Sequence, residues 1–481
     1  MLRAERALVA AGCALAVAAA GCEPRYRIVW SPDGSAAAVI AADGLRFCDG
    51  DGRLGDVQAA DIAQVRWLGG PKAPDSSKRL IVVQVEQLKT WQALRPYLPP
   101  KAAERAIADA NDILRQVRAY KGDWDKFELK TAPADFLASL VYLRENHAKE
   151  LAEKVGKKWE ELKDVGRPLH VVRLCERTGA LAARPGAVLH RELRDIAEIR
   201  PAPDGGAYVF AAKGEALFGE DPNALILFAA AAKDASAPLR AADDVAIWFD
   251  WSLDGRELLY AVAHMEKQPQ PTGTWDLRLA SLVRQQVRSS DGAVLAAAKS
   301  RGNVALLARQ HDRTRVRCLP DGSLLLAAID LRLPRVQPPE APSLWRISAD
   351  GKAIRDILRA DANGPPMTAD LFGPGPDGAL VSVPGPEGQV SVLNLRDGKL
   401  QVAQPKKEGA GQTIDTIPVW RSAKQLCFVV PPDPNAPHKR AQIVLWSTDG
   451  KVKVLSKSWP ESAVKGWLTP EQKPTSQPAA K

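Results

Sequence analysis

A short unit recurs along this chain of 481 residues and limits its fold more than any other feature. Each copy has an apolar lead, a turn of the Pro-Asp-Gly type and a strand of alternating small and apolar residues. Asp-Gly supplies the positive φ angles that tight turns need, and short runs of Val, Ile and Leu suit half-buried strands. The clear copies lie at 28–40, 199–212, 249–263, 315–329 and 372–383, and two degenerate copies lie at 65–85 and 418–430.

The repeat predicts an all-β fold, a β-propeller. A further strand with its own turn follows each copy, for example at 44–54, 344–354 and 443–455. Short strands between regular turn signals are typical of four-stranded sheets arranged radially as blades. Seven copies predict about seven blades, and because two copies are weak, six or eight blades are alternatives. A closed repeat also explains the length, since one ordinary core stops growing at about 250–300 residues.

The turn sequence WSPDG at 30–34, followed by strands that end in xDG, resembles the TolB-like and WD-like propeller repeats of bacterial envelope proteins. The resemblance covers 26–460, except for one insertion, and it implies the propeller fold but almost nothing about activity. TolB has an α/β domain before its blades, whereas this chain starts its repeats at once. The partners of TolB are therefore not carried over.

One segment, 86–166, interrupts the repeat with helical spacing. After Pro99 and Pro100, apolar residues recur at three-, four- and seven-residue intervals, and a second apolar stripe follows Pro133. Proline is favoured in the first turn of a helix. The pattern predicts an antiparallel helical hairpin inserted into the propeller, either as a packing brace on its rim or as an arm that binds a partner.

The two ends of the chain predict an exported, lipid-anchored protein. Residues 1–21 join a positively charged start to an apolar run, which is typical of a secretory signal. The sequence AAGC that ends at Cys22 resembles the lipobox of bacterial lipoproteins, which implies that Cys22 is diacylated and that 22–25 is a short tether. Glu23 in place of Asp implies the outer membrane, facing the periplasm, rather than the inner membrane. The composition of 461–481 predicts a mostly disordered tail.

The sequence contains none of the contiguous catalytic patterns that announce common enzymes. A GxSxG nucleophile elbow, a Walker loop and HExxH are missing, and the two GxGxxG matches, GDGRLG at 50–55 and GPGPDG at 373–378, fall in turns of the strand repeat rather than between a strand and a helix. The six histidines are scattered without ligand spacing. These observations predict no catalytic residue and no cofactor.

Three acidic residues near one turn are weak metal candidates. Asp49, Asp51 and Asp56 alternate with glycines, and alternate carboxylates can bind calcium. A full calcium loop needs further oxygen ligands at fixed spacing, which the segment lacks. A turn between strands is therefore favoured over a metal site.

The cysteines and tryptophans of the repeats favour structural roles. Cys48, Cys175, Cys318 and Cys427 are predicted to be buried free thiols, and a disulfide among them stays open because the protein is exported. Tryptophans recur where strands begin, which predicts a structural layer between blades. These are Trp30, Trp67, Trp251 and Trp420.

These features together predict a membrane-anchored, monomeric and non-enzymatic propeller that binds a protein or an envelope polymer. The net charge of +9 is too diffuse over this length to indicate nucleic acid. Two alternatives stay open. One is a hydrolase or lyase with its site in the propeller funnel, which would need convergent carboxylates or histidines on the inner strands. The other is a module that binds carbohydrate or peptidoglycan.

Overall fold

The computed structural model describes residues 26–464, apart from 71–72, 74, 125–126, 223, 234, 244, 266–277, 304–307, 310–314, 329–342, 351, 359–371, 385–389, 405–417 and 431–441. The predicted signal peptide at 1–21, Cys22 with its tether, and 465–481 of the predicted tail lie outside these residues. Among the described residues, no helix is both long and apolar enough to cross a bilayer.

Seven small antiparallel sheets follow one another along the chain, and strands that are consecutive in sequence pair within each sheet. The first sheet has three strands, and the short β16 pairs with β14 in the fourth. The strands of the first three sheets are β1 Ile28–Trp30, β2 Ala36–Ala41 and β3 Gly44–Asp49; β4 Ile62–Trp67, β5 Arg79–Leu88, β6 Arg167–Arg177 and β7 Ala183–Glu192; and β8 Ile196–Pro201, β9 Ala207–Lys213, β10 Leu225–Ala231 and β11 Leu239–Ala242. The fourth and fifth sheets contain β12 Val245–Trp251, β13 Glu257–Met265, β14 Arg278–Arg288, β15 Val294–Asn303 and β16 Ala308–Arg309; and β17 Arg315–Cys318, β18 Leu324–Ala328, β19 Ser343–Ile347 and β20 Ile354–Leu358. The last two contain β21 Gly373–Pro374, β22 Leu380–Pro384, β23 Val390–Asn394 and β24 Leu400–Gln404; and β25 Val419–Ser422, β26 Gln425–Val430, β27 Gln442–Ser447 and β28 Val452–Val454.

The sheets form a ring around a central channel. The first strand of one sheet contacts the first strand of the next, so that β1 contacts β4, β4 contacts β8, β8 contacts β12 and β12 contacts β17. β21 contacts β25, and β25 contacts β1, which closes the ring. The first strands are therefore the inner strands. The predicted β-propeller is confirmed, and its blade number is seven rather than six or eight.

The Ser-Pro-Asp-Gly turn shows why the repeat forms hairpins. The hydroxyl of Ser31 donates to the carboxylate of Asp33 (2.6 Å), and the same carboxylate accepts from the backbone N–H of Ser35 (3.0 Å). Gly34 then takes φ +68°, a left-handed conformation that glycine adopts without a Cβ clash. The chain thereby leaves β1 and returns as β2.

Replacing Gly34 by alanine should destabilise the protein more than replacing Gly398, although both have a positive φ, +68° and +72°. A Cβ at Gly34 would lie 2.7 Å from the carbonyl oxygen of Arg421, whereas one at Gly398 would meet nothing within 4 Å. We expect Gly398→Ala to cost about 1 kcal/mol from backbone strain. Gly34→Ala should cost about 1–3 kcal/mol more, because the last sheet must move. Urea unfolding of both variants checks this, and equal losses would contradict it.

The first and last sheets meet through side chains and the C-terminal segment. The indole N–H of Trp459 donates to the carbonyl of Gly52 (2.8 Å), and the ammonium of Lys453 pairs with the carboxylate of Asp51 (2.9 Å). A short helix, Glu461–Val464, buries its last two side chains against this junction. The closure therefore depends on contacts of the C-terminal segment with the first sheet.

The helices lie mainly between β5 and β6 of the second sheet. Two long helices, α2 (Pro100–Ala119) and α3 (Phe136–Val155), pack against each other. Asp135 caps α3 by accepting a hydrogen bond from the backbone N–H of Ala138 (2.9 Å). Part of their apolar surface packs on β6 and on Leu217 of the third sheet. The helices are α1 Trp91–Leu94, α2 Pro100–Ala119, α3 Phe136–Val155, α4 Trp159–Leu162 and α5 Glu461–Val464, and short 3-10 turns occupy Arg95–Tyr97, Gly156–Lys158, Ala216–Phe218 and Leu455–Ser458.

A buried arginine ties these helices to two sheets. Arg167, the first residue of β6, pairs through Nε with Asp135 (2.6 Å) and through Nη2 with Glu215 of the third sheet (2.5 Å). The three side chains are only 10%, 8% and 18% exposed. One guanidinium thus pairs with two carboxylates where α3 meets the propeller.

Candidate active site in the central channel

The inner strands place one residue each at the same level of the channel. The indole N–H of Trp67 donates to the carbonyl of Val29 (2.8 Å), and that of Trp251 donates to the carbonyl of Arg200 (3.0 Å). Each bond joins an inner strand to the inner strand of the preceding sheet. The residues directly before the tryptophan positions of the seven inner strands therefore lie at the same level of the channel. They are Val29, Arg66, Arg200, Asp250, Arg317, Gly373 and Val419, and we call them the channel ring.

The channel ring is charged on one side only. The second to fifth sheets contribute three arginines and one aspartate, whereas the sixth, seventh and first contribute one glycine and two valines. Glu198 adds a second carboxylate, because it lies two residues before Arg200 and side chains along a strand alternate in direction. The channel ring itself therefore has an ionic half and a half without charge, although buried Arg27 stands two residues before Val29 as Glu198 does before Arg200.

Ion pairs connect the charged side chains from sheet to sheet. The Oε1 atom of Glu198 lies 3.0 Å from Nη2 of Arg66 and 3.3 Å from Nη2 of Arg200. Arg200 in turn lies 3.8 Å from Asp250, whose other carboxylate oxygen accepts from the backbone N–H of Cys318 (2.9 Å). Glu198 is 3% exposed, so its charge is stabilised by these arginines rather than by water.

Tyr26, just before β1, reaches the ionic half of the ring. Its hydroxyl oxygen accepts from Nη2 of Arg317 (3.3 Å), and the guanidinium of Arg66 lies 4.2 Å from the centroid of its ring. Arg66 belongs to the second sheet and Arg317 to the fifth. Tyr26 therefore contacts two guanidinium groups from opposite ends of the ionic half, Arg317 at its hydroxyl and Arg66 over the face of its ring.

The surrounding charges set the ionisation of this cluster. Burial alone would raise the pKa of Glu198, but Arg66 and Arg200 outweigh burial and hold that pKa below its usual range. Burial would also raise the pKa of Tyr26, and here Arg317 and Arg200 lower it below the usual value near 10. A phenol with a lowered pKa gives up its proton more readily, so Tyr26 is suited to act as a base.

The predicted metal candidates lie elsewhere and contact cations. Asp49 accepts from Nε of Arg53 (2.6 Å), and Asp51 pairs with Lys453 (2.9 Å). Both line a groove of about 650 Å³ between the first and last sheets, and Asp56 does not line it. Within the described part of the chain, no group of three or more His, Cys, Asp or Glu side chains could hold a metal ion.

The four cysteines are free thiols in the structure. Cys48 and Cys427 share the core between the first and last sheets, Cys175 is also buried, and Cys318 is half-buried. Burial raises the pKa of Cys427 to about 12, so this thiol is a poor nucleophile at neutral pH.

Sequence reasoning missed the channel residues, although a signal for them exists. In the copies with a clear turn, the ring residue stands five positions before the turn glycine, as Asp250 does before Gly255 and Arg317 before Gly322. In the second copy, Arg66 immediately precedes Trp67. Comparing this one position across the copies would have shown charge in four consecutive blades.

Comparison with known proteins extends the description of the fold. No protein-family model matches the chain, and no curated protein matches it. It is similar to the structure of a puromycin-hydrolyzing peptidase from Mycobacterium tuberculosis, with 13% identity, a TM-score of 0.42, and coverage of 91% of this chain and 54% of the peptidase. It is also similar to the acylaminoacyl peptidase of Pyrococcus horikoshii (12% identity, TM-score 0.36, 60% of this chain and 41% of the peptidase). An oligogalacturonate lyase in complex with manganese matches at 12% identity and a TM-score of 0.34, over 59% of this chain and 70% of the lyase. The chain thus spans about half the length of the two peptidases or less.

The comparison contradicts the prediction of a non-enzymatic binding propeller. All three similar structures are enzymes, two peptidases and one lyase. The prediction relied on contiguous catalytic motifs, and such motifs cannot reveal a site whose residues come from separate sheets. Identities of 12–13% give no residue-by-residue correspondence, so the chemistry of this chain has to be argued from its own channel.

Proposed function

We propose that this protein is an enzyme of the lyase type, with its reacting groups in the central channel. The observation that carries the proposal is the environment of Tyr26, whose hydroxyl accepts a hydrogen bond from Arg317 while the guanidinium of Arg66 lies over the face of its ring. Cationic neighbours favour the ionised phenol, which can remove a proton from carbon next to a carbonyl group. The same cations stabilise the negative charge that develops on the substrate as the proton leaves.

The reaction supported by this arrangement is a β-elimination. Tyr26 removes the proton from the carbon next to the carbonyl, and the electron pair of the broken C–H bond forms a C=C bond. The C–O bond on the adjacent carbon breaks, and its electron pair leaves with the oxygen. The proton held by Tyr26 then passes to that oxygen, which restores the starting state and needs neither water nor an oxidant.

The two carboxylates of the channel fit hydrolysis poorly. Glycoside hydrolysis by a carboxyl pair needs one of them protonated, with a raised pKa. The pKa of Glu198 is lowered instead, because Arg66 and Arg200 hold it as an anion. Both oxygens of Asp250 already accept from backbone N–H groups, of Trp251 (3.0 Å) and of Cys318 (2.9 Å). Tyr26 is therefore a better proton carrier than either carboxylate.

Polyuronates and their methyl esters are suitable first substrates for a test. Each has an acidic C–H next to a carbonyl and an oxygen leaving group one carbon away. We expect the purified protein to generate the ultraviolet absorbance of a new C=C bond with at least one of them. New reducing ends without this absorbance would contradict elimination and indicate hydrolysis.

The rate of elimination should increase with pH. Because the pKa of Tyr26 is lowered from its usual value near 10, the ionised phenol becomes abundant at a lower pH than for a free tyrosine. We expect kcat/KM to rise through that lowered pKa and then to level off. Measuring kcat/KM between neutral and alkaline pH checks this, and a rate that falls over the same range would contradict a phenolate base.

We also propose that the protein is held at a bacterial membrane, in the outer membrane rather than the inner, through acylated Cys22. The sequence AAGC supports this, and Cys13, within the apolar run, offers a matched control. In cells fed labelled palmitate, the wild type and Cys13→Ala should incorporate label and fractionate with membranes, and Cys22→Ala should do neither. Membrane-bound, labelled Cys22→Ala protein would overturn the proposal.

A further inference from the structure

We infer that the groove between the first and last sheets is a binding site for the phosphate group of a small phosphorylated molecule, with Arg421 as its main contact. The groove has a volume of about 650 Å³, which is within the usual range for small-molecule sites. Its lining includes none of the channel-ring residues, so the inference is independent of the elimination proposed for the channel.

Arg421, at the end of β25, is held in place against the first sheet. Its Nε atom donates to the carbonyl of Gly34 (3.0 Å), and its guanidinium lies 4.8 Å from the centroid of the Trp30 ring. Its Nη2 atom is so close to Gly50 that a Cβ on that glycine would lie 2.1 Å away. Among the described residues, none accepts a hydrogen bond from Nη1 or Nη2 of Arg421. The donors on these two nitrogens are therefore open to a ligand in the groove.

The charges around the groove single out the same residue. Three of the four cations that line it each pair with a carboxylate, and these pairs are Arg53–Asp49 (2.6 Å), Lys453–Asp51 (2.9 Å) and Lys451–Asp449 (2.8 Å). At the edge of the groove, Ser35 contacts Asp33 and Arg177, whose charges are opposite. Arg421 is the lining cation without a carboxylate partner among the described residues. An anion in the groove would supply that partner.

A phosphate monoester matches these groups better than a carboxylate does. At neutral pH it carries about −1.5 to −2 charges and three strong acceptor oxygens. A guanidinium binds two of these oxygens through parallel N–H donors. The ammonium of Lys453 donates to the carbonyl of Gly50 (3.1 Å), the glycine that Arg421 also contacts, so a phosphate on Arg421 would meet a second cation. Gln425 and Ser447 line the same groove and offer hydrogen bonds to hydroxyl groups of the ligand.

The position of the groove favours a soluble ligand over a membrane lipid. The lining residues cluster where β1 and β3 of the first sheet and β25 and β27 of the last sheet end. β1 begins at the opposite face, a few residues after the proposed anchor at Cys22. A bilayer that holds Cys22 would therefore lie on the side away from the groove.

Calorimetry on the full-length protein can compare three sugars that differ only at C6. Glucose 6-phosphate carries a phosphate there, glucuronate a carboxylate and glucose a hydroxyl group. We expect glucose 6-phosphate to bind at least about 10-fold more tightly than glucose, and more tightly than glucuronate, because the phosphate has the larger charge. Its affinity should fall as salt is raised.

Variants of the two cations test the assignment. Arg421→Gln should weaken binding of glucose 6-phosphate by at least about 10-fold, and Arg421→Lys should retain only part of the affinity, because an ammonium lacks the paired donors. Lys453→Gln changes an exposed side chain and leaves Arg421 in place, and it should weaken binding by about 3-fold. Arg184→Gln, which removes an exposed and paired arginine outside the groove, should not change the affinity.

Equal binding of glucose 6-phosphate and glucose would overturn the inference, and so would an unchanged affinity in Arg421→Gln and Lys453→Gln with intact thermal transitions. Binding of glucuronate as tight as that of glucose 6-phosphate would overturn the choice of phosphate. Sedimentation of Cys22→Ala protein with phosphatidylglycerol vesicles tests the lipid alternative. Capture by these vesicles that depends on Arg421, without binding of glucose 6-phosphate, would overturn the assignment to a soluble ligand.

Discussion

Replacing Tyr26 by phenylalanine should lower kcat at least about 10²-fold, because acid–base catalysis by a positioned side chain contributes about 10²–10⁴-fold. Phenylalanine keeps the aromatic ring beneath the guanidinium of Arg66 and removes only the oxygen that accepts from Arg317. KM should change little, since the arginines that would bind the substrate stay in place. Steady-state kinetics measures both constants, with a polyuronate or its methyl ester as substrate, whichever the wild type cleaves faster.

Tyr208→Phe is the matched control for this variant. Tyr208 is buried in β9, outside the channel ring, and its hydroxyl has no hydrogen-bond partner among the residues that the structure describes. Removing that hydroxyl takes away the same atom without touching the channel. We expect wild-type kcat from Tyr208→Phe. Full activity in Tyr26→Phe would show that another group removes the proton.

Replacing Arg167 by methionine should destabilise the protein by about 3–5 kcal/mol, the usual cost of leaving a buried charge without its partner. Arg167 pairs with Asp135 and Glu215 at once, and all three side chains are largely buried. Without the guanidinium, two carboxylates would face each other where α3 joins the sheets. Urea unfolding at neutral pH measures the loss.

The loss should depend on pH in a defined direction. Burial already raises the pKa of Glu215, and Arg167 partly offsets this. In Arg167→Met the pKa should rise further, so the folded state binds protons more tightly than the unfolded state. As pH falls below the pKa that Glu215 has in the folded variant, the free energy of unfolding should approach that of the wild type. As pH rises through that pKa, the deficit should reappear.

Arg118→Met provides the comparison for this variant. Arg118 pairs with Glu150 on the helices, but the two side chains are 54% and 32% exposed. An exposed pair of this kind contributes about 0–1 kcal/mol. A loss in Arg167→Met no larger than in Arg118→Met would show that the buried triad does not hold α3 to the propeller.

The fold could be predicted from the sequence because its signals are local. An Asp-Gly turn needs only its own few residues, as the hydrogen bonds of Ser31, Asp33 and Ser35 show. Five such hairpins and two degenerate copies therefore indicate a propeller before any contact between blades is known. The first sheet departs from the pattern, since it has three strands, and only isolated bridges such as Leu45 with Ala59 continue its edge.

The site could not be predicted in this way because its residues meet only after the ring has closed. Arg66 and Glu198 are 132 positions apart, and Tyr26 and Arg317 are 291 apart. None belongs to a contiguous catalytic motif, and each looks like an ordinary strand residue in its own copy. The search for such motifs therefore led to the wrong expectation of a non-enzymatic protein.

The origin of the oxygen in the product tests the central claim most directly. Wild-type protein would cleave a polyuronate, or its methyl ester, in water enriched in heavy oxygen, and mass spectrometry would follow the products. Elimination at Tyr26 predicts an unsaturated fragment and a partner fragment, neither of which contains solvent oxygen at the cleaved bond. Heavy oxygen at the new reducing end in samples quenched before that hemiacetal exchanges with water, together with no unsaturated fragment, would show hydrolysis and contradict the account.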